Sequence, residues 1–437
     1  MLQLDRYNTY TVTDSEDSRI KKSKLTGMQA GCKLNIAGCP EPGYQRSTAQ
    51  LFKHRRKYMH RRDFIRLLIL PCIFSGFGCQ PSQIRQGISA GSQLARGSVS
   101  GAVTSMLPGT GVPELDSLVR RGVQEMVQRL MEEWGDEKVP TQTEYVKYTD
   151  DYQTRAVINF ETGNIRVETV EEDNPRQKLK TAIVHTLLTP EDPSRVDLLS
   201  DEQVSLGPEP FLYNVVLDHE DTPIRWEWRA NRYAEYLMRT AYQTDVYNRR
   251  ERHFVTLSMV EEHGFQQQKR YQGLVYRHSR RFGVEPALVY AIMEVESSFN
   301  PYAMSHVPAY GLMQIVPETA GRDAHLLIYN RKGTPTRDYL FVPDNNIRMG
   351  SAYLYILFNR YLNRVTNARS REYCVIAGYN TGSGNVLRAF HSNRDRAFER
   401  INSMNSRQVY EHLVRNLPYQ ETRDYLPKVV RARQKYA

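Results

Sequence analysis

In the stretch PALVYAIMEVESSFNP, residues 286 to 301, a carboxylate stands near the end of an otherwise apolar run. At about 100° per residue, Leu288, Ala291, Ile292, Val295 and Phe299 fall within one helical stripe, Glu296 on its border and Glu294 on the opposite side. Pro286 suits the first turn of such a helix, and Asn300-Pro301 is expected to end it beside Glu296, leaving one side open to a substrate. A carboxyl half-buried among apolar groups resists ionisation, so it keeps a proton near neutral pH and can serve as a general acid. An acid at a helix edge in plain solvent fits the same pattern, so this stretch alone does not decide between them.

The surroundings add to it. ESSFNPYAMS continues through HVPAY into GLMQIVPETAG; later come AGYNTGSGNV and, near the end, ETRDYLPKV. In that order the motifs resemble the lytic transglycosylases with a goose-type-lysozyme-like catalytic domain, whose signature is Glu-Ser-x-Phe-x-Pro, Gly-Leu-Met-Gln and Ala-Tyr-Asn. Gly378 stands where the last motif prefers Ala. The resemblance implies cleavage, without water, of the β-1,4 bond between N-acetylmuramic acid and N-acetylglucosamine in peptidoglycan. Glu296 would protonate the leaving oxygen, then as carboxylate deprotonate the sugar's own 6-hydroxyl as it closes a 1,6-anhydro ring. It implies also that Ser305 and Tyr379 orient Glu296 and stabilise charge, that Met313 and Gln314 line the cleft, that Asn380 supports it and that Tyr425 closes one wall. Plainer readings stand beside these: Met313 as core, Asn380 as a helix stop, Ser305 as a cap.

A hydrolytic glycosidase needs a second carboxylate, and between Glu296 and Gln314 there is none. A hydrolytic lysozyme on the same fold stays open as an alternative, with Asp323 or Asp338 as the extra acid. So does a non-catalytic wall-binding scaffold, though Glu296 with Ser305 and Tyr379 argues for catalysis. Gly382 and Gly384 in NTGSGN lack the following Lys and the preceding strand of a phosphate loop, and read as a turn after a helix. No His or Cys spacing suggests a metal, and the chemistry calls for no cofactor. Asp150-Asp151 reads as a solvated turn.

The net charge of +10 is mostly N-terminal: up to Gly78 there are 14 Lys and Arg against 6 Asp and Glu, which leaves an excess of only two beyond it. That distribution argues against a nucleic-acid-binding face. The basic run KHRRKYMHRRDFIR leads into the apolar LLILPCIFSGFG and stops at Cys79, the pattern of an export signal too short to anchor by itself. Arg61-Arg62 resembles a twin-arginine signal, and Gly76-Phe77-Gly78-Cys79 resembles a bacterial lipobox with Gly76 in place of Leu. Of five cysteines only Cys79 and Cys374 follow the proposed cleavage, so no disulfide framework is expected; Cys79 carries lipid and Cys374 is a small buried residue on a helix. Gln80 after Cys79 is compatible with the outer membrane, on its periplasmic face.

The elements that must position these residues divide accordingly. Residues 1–58 read as a non-native or disordered extension ahead of a start at Met59, 59–78 as the signal and 79–109 as a flexible tether. Residues 110–255 read as an α+β N-terminal domain: a helix from Pro113, a hairpin in TRAVINFETGNIRVETV, a strand in FLYNVVLD and a helix in RWEWRANRYAEYLMRTAY. Residues 256–437 read as a mainly α, lysozyme-like catalytic domain, each domain with its own core. The expected partners are peptidoglycan glycan strands and, through lipid on Cys79, a membrane.

Overall fold

In the computed structural model, which describes residues 113–437 except 208, 306 and 307, the run from 154 to 169 forms the hairpin its alternation predicts. The expected extension, signal, Cys79 and tether lie outside the described residues. Helix α1 (Pro113–Trp134) leads into strands β1 (Glu144–Thr149), β2 (Thr154–Asn159) and β3 (Asn164–Thr169). Helices α2 (Pro175–Leu187) and α3 (Glu227–Thr240) follow, then β4 (Gln243–Tyr247) and β5 (Arg250–Ser258). All pairings are antiparallel, in the order β1-β2-β3-β5-β4. Ala156 is opposite Val167, which is in turn opposite Val255, and Ile158 is opposite Ile165, in turn opposite Leu257, so one face is an apolar band across three strands. Helix α2 packs on the sheet through Leu179, Ile183 and Leu187, which recur at helical spacing. On the other face Arg155 and Glu168, also opposite each other, form a buried ion pair at 2.5 Å, with the guanidinium 4.0 Å from the Trp134 ring.

Two expectations need correcting here. FLYNVVLD is not a strand but a series of turns between the bridges Pro190–Pro210 and Leu217–Pro223. Its buried residues are Phe211, Leu212, Val215 and Val216, a spacing that suits successive turns and not alternation, and Asn214 at φ 65° breaks any extended run. The expected boundary at 255 falls inside β5, whose alternating Val255 and Leu257 belong to the sheet. Asp150, Asp151 and Tyr152 all have left-handed φ in the β1–β2 turn; Asp151 is solvated, whereas Asp150 pairs with Lys178 at 2.8 Å.

Beyond Ser258 every described element is a helix: α4 (His263–Phe282), α5 (Pro286–Ser297), α6 (Arg322–Tyr329), α7 (Arg337–Phe341), α8 (Pro343–Ile356), α9 (Ala368–Thr381), α10 (Ser383–Phe390), α11 (Arg394–Asn402), α12 (Ser406–Asn416) and α13 (Gln420–Lys435), with π turns at Pro317–Gly321 and Leu357–Tyr361. The C-terminal helix α13 lies along α5 and against α9. No described helix is long and apolar enough to cross a membrane. Cys374 is fully buried in α9, and burial pushes its thiol up to about 12.

The sheet region and the helical region do not have separate cores. Tyr302, fully buried just past α5, packs its ring 5.1 Å from Tyr145 and 5.3 Å from Phe211, and its hydroxyl donates to the Pro190 carbonyl. The backbone of Met304 donates to Thr141 (3.2 Å), the Asn300 amide to Gln142 (3.2 Å), and Arg270 of α4 to the Phe211 and Tyr213 carbonyls. One hydrophobic cluster runs through both regions.

Candidate active site

Glu285 precedes Pro286, whose missing N–H is no loss in a first turn, and α5 runs to Ser297 with its apolar residues buried except the half-buried Val295. Glu296 is only 7% exposed, more buried than its border position suggested. Burial raises its carboxyl pKa from 4.5 to about 8, the Tyr425 hydroxyl opposing that rise and the nearby Glu421 charge adding to it. Glu294 points elsewhere, as its phase predicts: it accepts from Lys435 and, at 2.6 Å, from the Tyr436 hydroxyl.

The helix does not end at Asn300-Pro301. It unwinds one turn earlier, through Ser298 (φ 50°) and Phe299 (φ 62°), closed by a bond from the Phe299 N–H to the Met293 carbonyl at 3.4 Å. Positive φ is costly for a phenylalanine, and this one is held by burial at 2% exposure. Asn300 acts afterwards: its amide oxygen accepts from the Tyr302 N–H at 3.0 Å and shapes the next turn.

The Gly-Leu-Met-Gln loop is fastened to this helix end from two sides. The Ser297 hydroxyl, with one proton to give, lies 2.8 Å from the Leu312 carbonyl and 3.0 Å from that of Met293. From α8 the fully buried Asn346 donates to the Tyr310 and Leu340 carbonyls, both at 2.7 Å, and accepts from the Met313 N–H at 2.8 Å. Gly311, at φ 72°, leaves room for this: a Cβ there would meet the Asn346 amide nitrogen at 2.5 Å. Gln314, at φ 45°, donates to the Ala303 and Gly311 carbonyls, while its buried amide oxygen has no partner.

Helices α9 and α13 bring the rest. Tyr425 is buried, and its hydroxyl, without a partner at ordinary hydrogen-bond distance, faces the Glu296 carboxyl closely enough to act on its ionisation. Tyr379 donates to the Met313 carbonyl at 2.8 Å; burial raises its phenol well above the ordinary value, and the Glu296 charge adds to this. Asn380 joins the two helices, accepting from Thr422 at 2.6 Å and donating to Glu421 at 3.2 Å.

Glu296, Tyr379 and Tyr425, expected together, thus share one neighbourhood, with Asn380 behind them. Met313 is corrected: it is fully buried, and a Cβ on Gly350 would strike its sulfur at 2.3 Å, so its side chain is packing and not cleft wall. Ser305 sits half-buried on the adjoining loop, its N–H donating to the Ala309 carbonyl at 3.2 Å. Of the alternative acids, Asp323 accepts from the Tyr361 hydroxyl at 2.8 Å and Asp338 pairs with Arg337, whereas the acid that acts on Glu296 is Glu421. Sequence reasoning missed Ser297, Asn346 and Glu421. The first and last lay within quoted motifs; Asn346 had no local signal at all.

Two family models and the named relatives agree on the chain's kind. The family model described as membrane-bound lytic murein transglycosylase C, N-terminal domain, matches residues 114–271, and the transglycosylase SLT domain matches residues 274–402. The chain is 47% identical over 294 residues to proteins named membrane-bound lytic murein transglycosylase C from Sodalis glossinidius (strain morsitans) and Yersinia pestis (strain Pestoides F), covering 67% of this chain and 82% of theirs. Among solved structures, an inactive mutant of the lytic transglycosylase Slt from Pseudomonas aeruginosa is 27% identical over 38% of this chain and 24% of that chain, with a TM-score of 0.29.

Proposed function

The chain belongs to the membrane-bound lytic murein transglycosylase C family, and on that premise we propose that Glu296 carries both proton transfers of a cleavage that uses no water. The chain is a peptidoglycan lytic transglycosylase. The observation that carries the finer reading is the single buried carboxyl at the end of α5, with a pKa near 8.

A carboxyl with that pKa is protonated in the resting enzyme near neutral pH and donates to the glycosidic oxygen as the bond breaks. The conjugate base, left in an apolar setting that favours the neutral acid, then takes the proton of the sugar's 6-hydroxyl while that oxygen attacks the anomeric carbon. One C–O bond breaks, one forms within the same sugar, and the proton count on Glu296 returns to its start. The product end is 1,6-anhydro-N-acetylmuramic acid. Tyr425 and Tyr379 border the carboxyl, Gln314 offers its unpartnered amide oxygen to a sugar N–H or hydroxyl, and Ser305 lies on the loop beside them. The relatives' names describe membrane-bound proteins. We read that attachment as lipid on Cys79 after export, at the periplasmic face of the outer membrane, where several acyl chains suffice for stable anchoring.

Glu421 is the observation that favours a second, hydrolytic reading, because it supplies the extra carboxylate that a water-activating mechanism needs. Digestion of purified peptidoglycan by the chain and by its Glu296→Gln variant, with mass spectrometry of the fragments, separates the two. Anhydro ends from the first and no cleavage by the second are expected. Reducing ends would favour the hydrolytic reading.

A further inference from the structure

Of three tryptophans, Trp134 is fully buried, while Trp226 and Trp228, in Arg-Trp-Glu-Trp-Arg at the start of α3, are each 57% exposed. They are exposed but not loose. Trp226 is the extended residue ahead of the helix (φ −111°, ψ 147°), its carbonyl accepting from the Arg229 and Ala230 N–H groups, and Trp228 lies in the first turn. The Arg225 guanidinium is 5.4 Å from the Trp226 ring, and that of Arg229 is 4.7 Å from the Trp228 ring. Further along α3, Tyr236 stacks on His219 at 4.3 Å.

What such a surface fits is decided by its charge. Each flanking arginine is already in an ion pair: Arg225 with Glu209 at 2.8 Å, Arg229 with Asp218 at 2.6 Å, Arg232 with Glu220. Asp221 and Glu227, both exposed and on either side of Trp226 in the sequence, add two further carboxylates, so five acids stand against three arginines here. An anionic bilayer or a nucleic acid would meet an acidic rim, and repulsion at that rim opposes docking. A sugar ring meets no such penalty, since it offers apolar C–H faces to an aromatic ring and hydroxyl edges to carboxylates. Exposed aromatic faces held in place by their neighbours lose little freedom on binding.

We propose that Trp226 and Trp228 form a second binding surface for the peptidoglycan glycan strand, apart from the Glu296 cleft. The proposal rests on the reading that this chain acts on that polymer. A glycan strand repeats one disaccharide, so holding it at a second place raises its effective concentration at the cleft without any new contact to the reacting sugar.

The test uses the full chain carrying Glu296→Gln, so that the wall is not cut, and measures its retention on sedimented peptidoglycan sacculi. Adding Trp226→Ala with Trp228→Ala is expected to weaken retention by about tenfold, the combined effect of two aromatic contacts. Phe at both positions, which keeps a ring face, is expected to restore most of it and guards against a fold defect in the Ala pair. With Glu296 intact, the Ala pair is expected to slow digestion of sacculi and leave turnover of a soluble tetrasaccharide unchanged. Equal retention of both proteins would overturn the proposal. So would unchanged retention with lost binding to vesicles of anionic phospholipid, which would make the face a membrane contact. Product chemistry is read separately, so failure of the anhydro reading is distinguishable from failure of this one.

Discussion

A carboxyl that must hold a proton and then accept another is best kept where neither charge state is greatly preferred near the working pH. Burial does this at Glu296, and Tyr425 limits how far it goes. The same shift acts on stability. The folded-state pKa is about 8 against an ordinary value of 4.5, so between those values the native state binds the extra proton and stability falls as pH rises. Glu296→Gln is neutral throughout and lacks this dependence. Its stability relative to the wild type is therefore expected to be small in acid, to grow through that window and to level off above pH 8 at a gain on the order of a few kcal/mol. Thermal melts of both proteins across the range check it, and a difference that does not vary with pH would contradict the desolvation account.

At the scale of elements, the site is two helices and a loop locked onto the end of a third. Much of this was legible. The phase of Glu296 against Leu288, Ile292 and Phe299 put it on the border of the apolar stripe, short of the burial it has, and alternation predicted the β2–β3 hairpin. Other features had no local signal. The left-handed Ser298 and Phe299 are held by burial and a tertiary packing arrangement, so Asn-Pro was credited with a break that comes earlier. The β4–β5 hairpin turns on Asn248-Arg249, both with positive φ, without the glycine that marks such turns. The family resemblance implied a cleft-lining Met313, but the Gly350 that it packs against lies in a helix encoded far along the chain. Gly378, the departure from the family motif, is a clean test of helix energetics. A Cβ there meets Leu357 and Leu362 at 3.5 Å, ordinary contact distance, so Gly378→Ala is expected to stabilise the chain by about 0.5–1 kcal/mol. A raised denaturant midpoint at unchanged slope is the expected reading.

Across the whole molecule, the sheet region and the catalytic helices share a core through Tyr302, which argues for one cooperative unit among the described residues. Calorimetry is expected to give a single unfolding transition for them. Tyr302→Ala, which empties the space between Tyr145 and Phe211, is expected to lower stability by about 3–5 kcal/mol and shift that transition as a whole. Two separated transitions would mean that the regions fold independently despite the shared cluster. This arrangement also fixes the Glu296 helix end to the sheet region through Asn300 and Met304, so the N-terminal part helps to hold the site. The most direct measurement of the central claim is digestion of purified peptidoglycan in heavy-oxygen water, with the new glycan ends weighed. The account predicts anhydro ends free of the label, formed by the chain and not by Glu296→Gln. Reducing ends carrying the heavy oxygen would show that water attacks, with Glu421 the residue to examine as its activator.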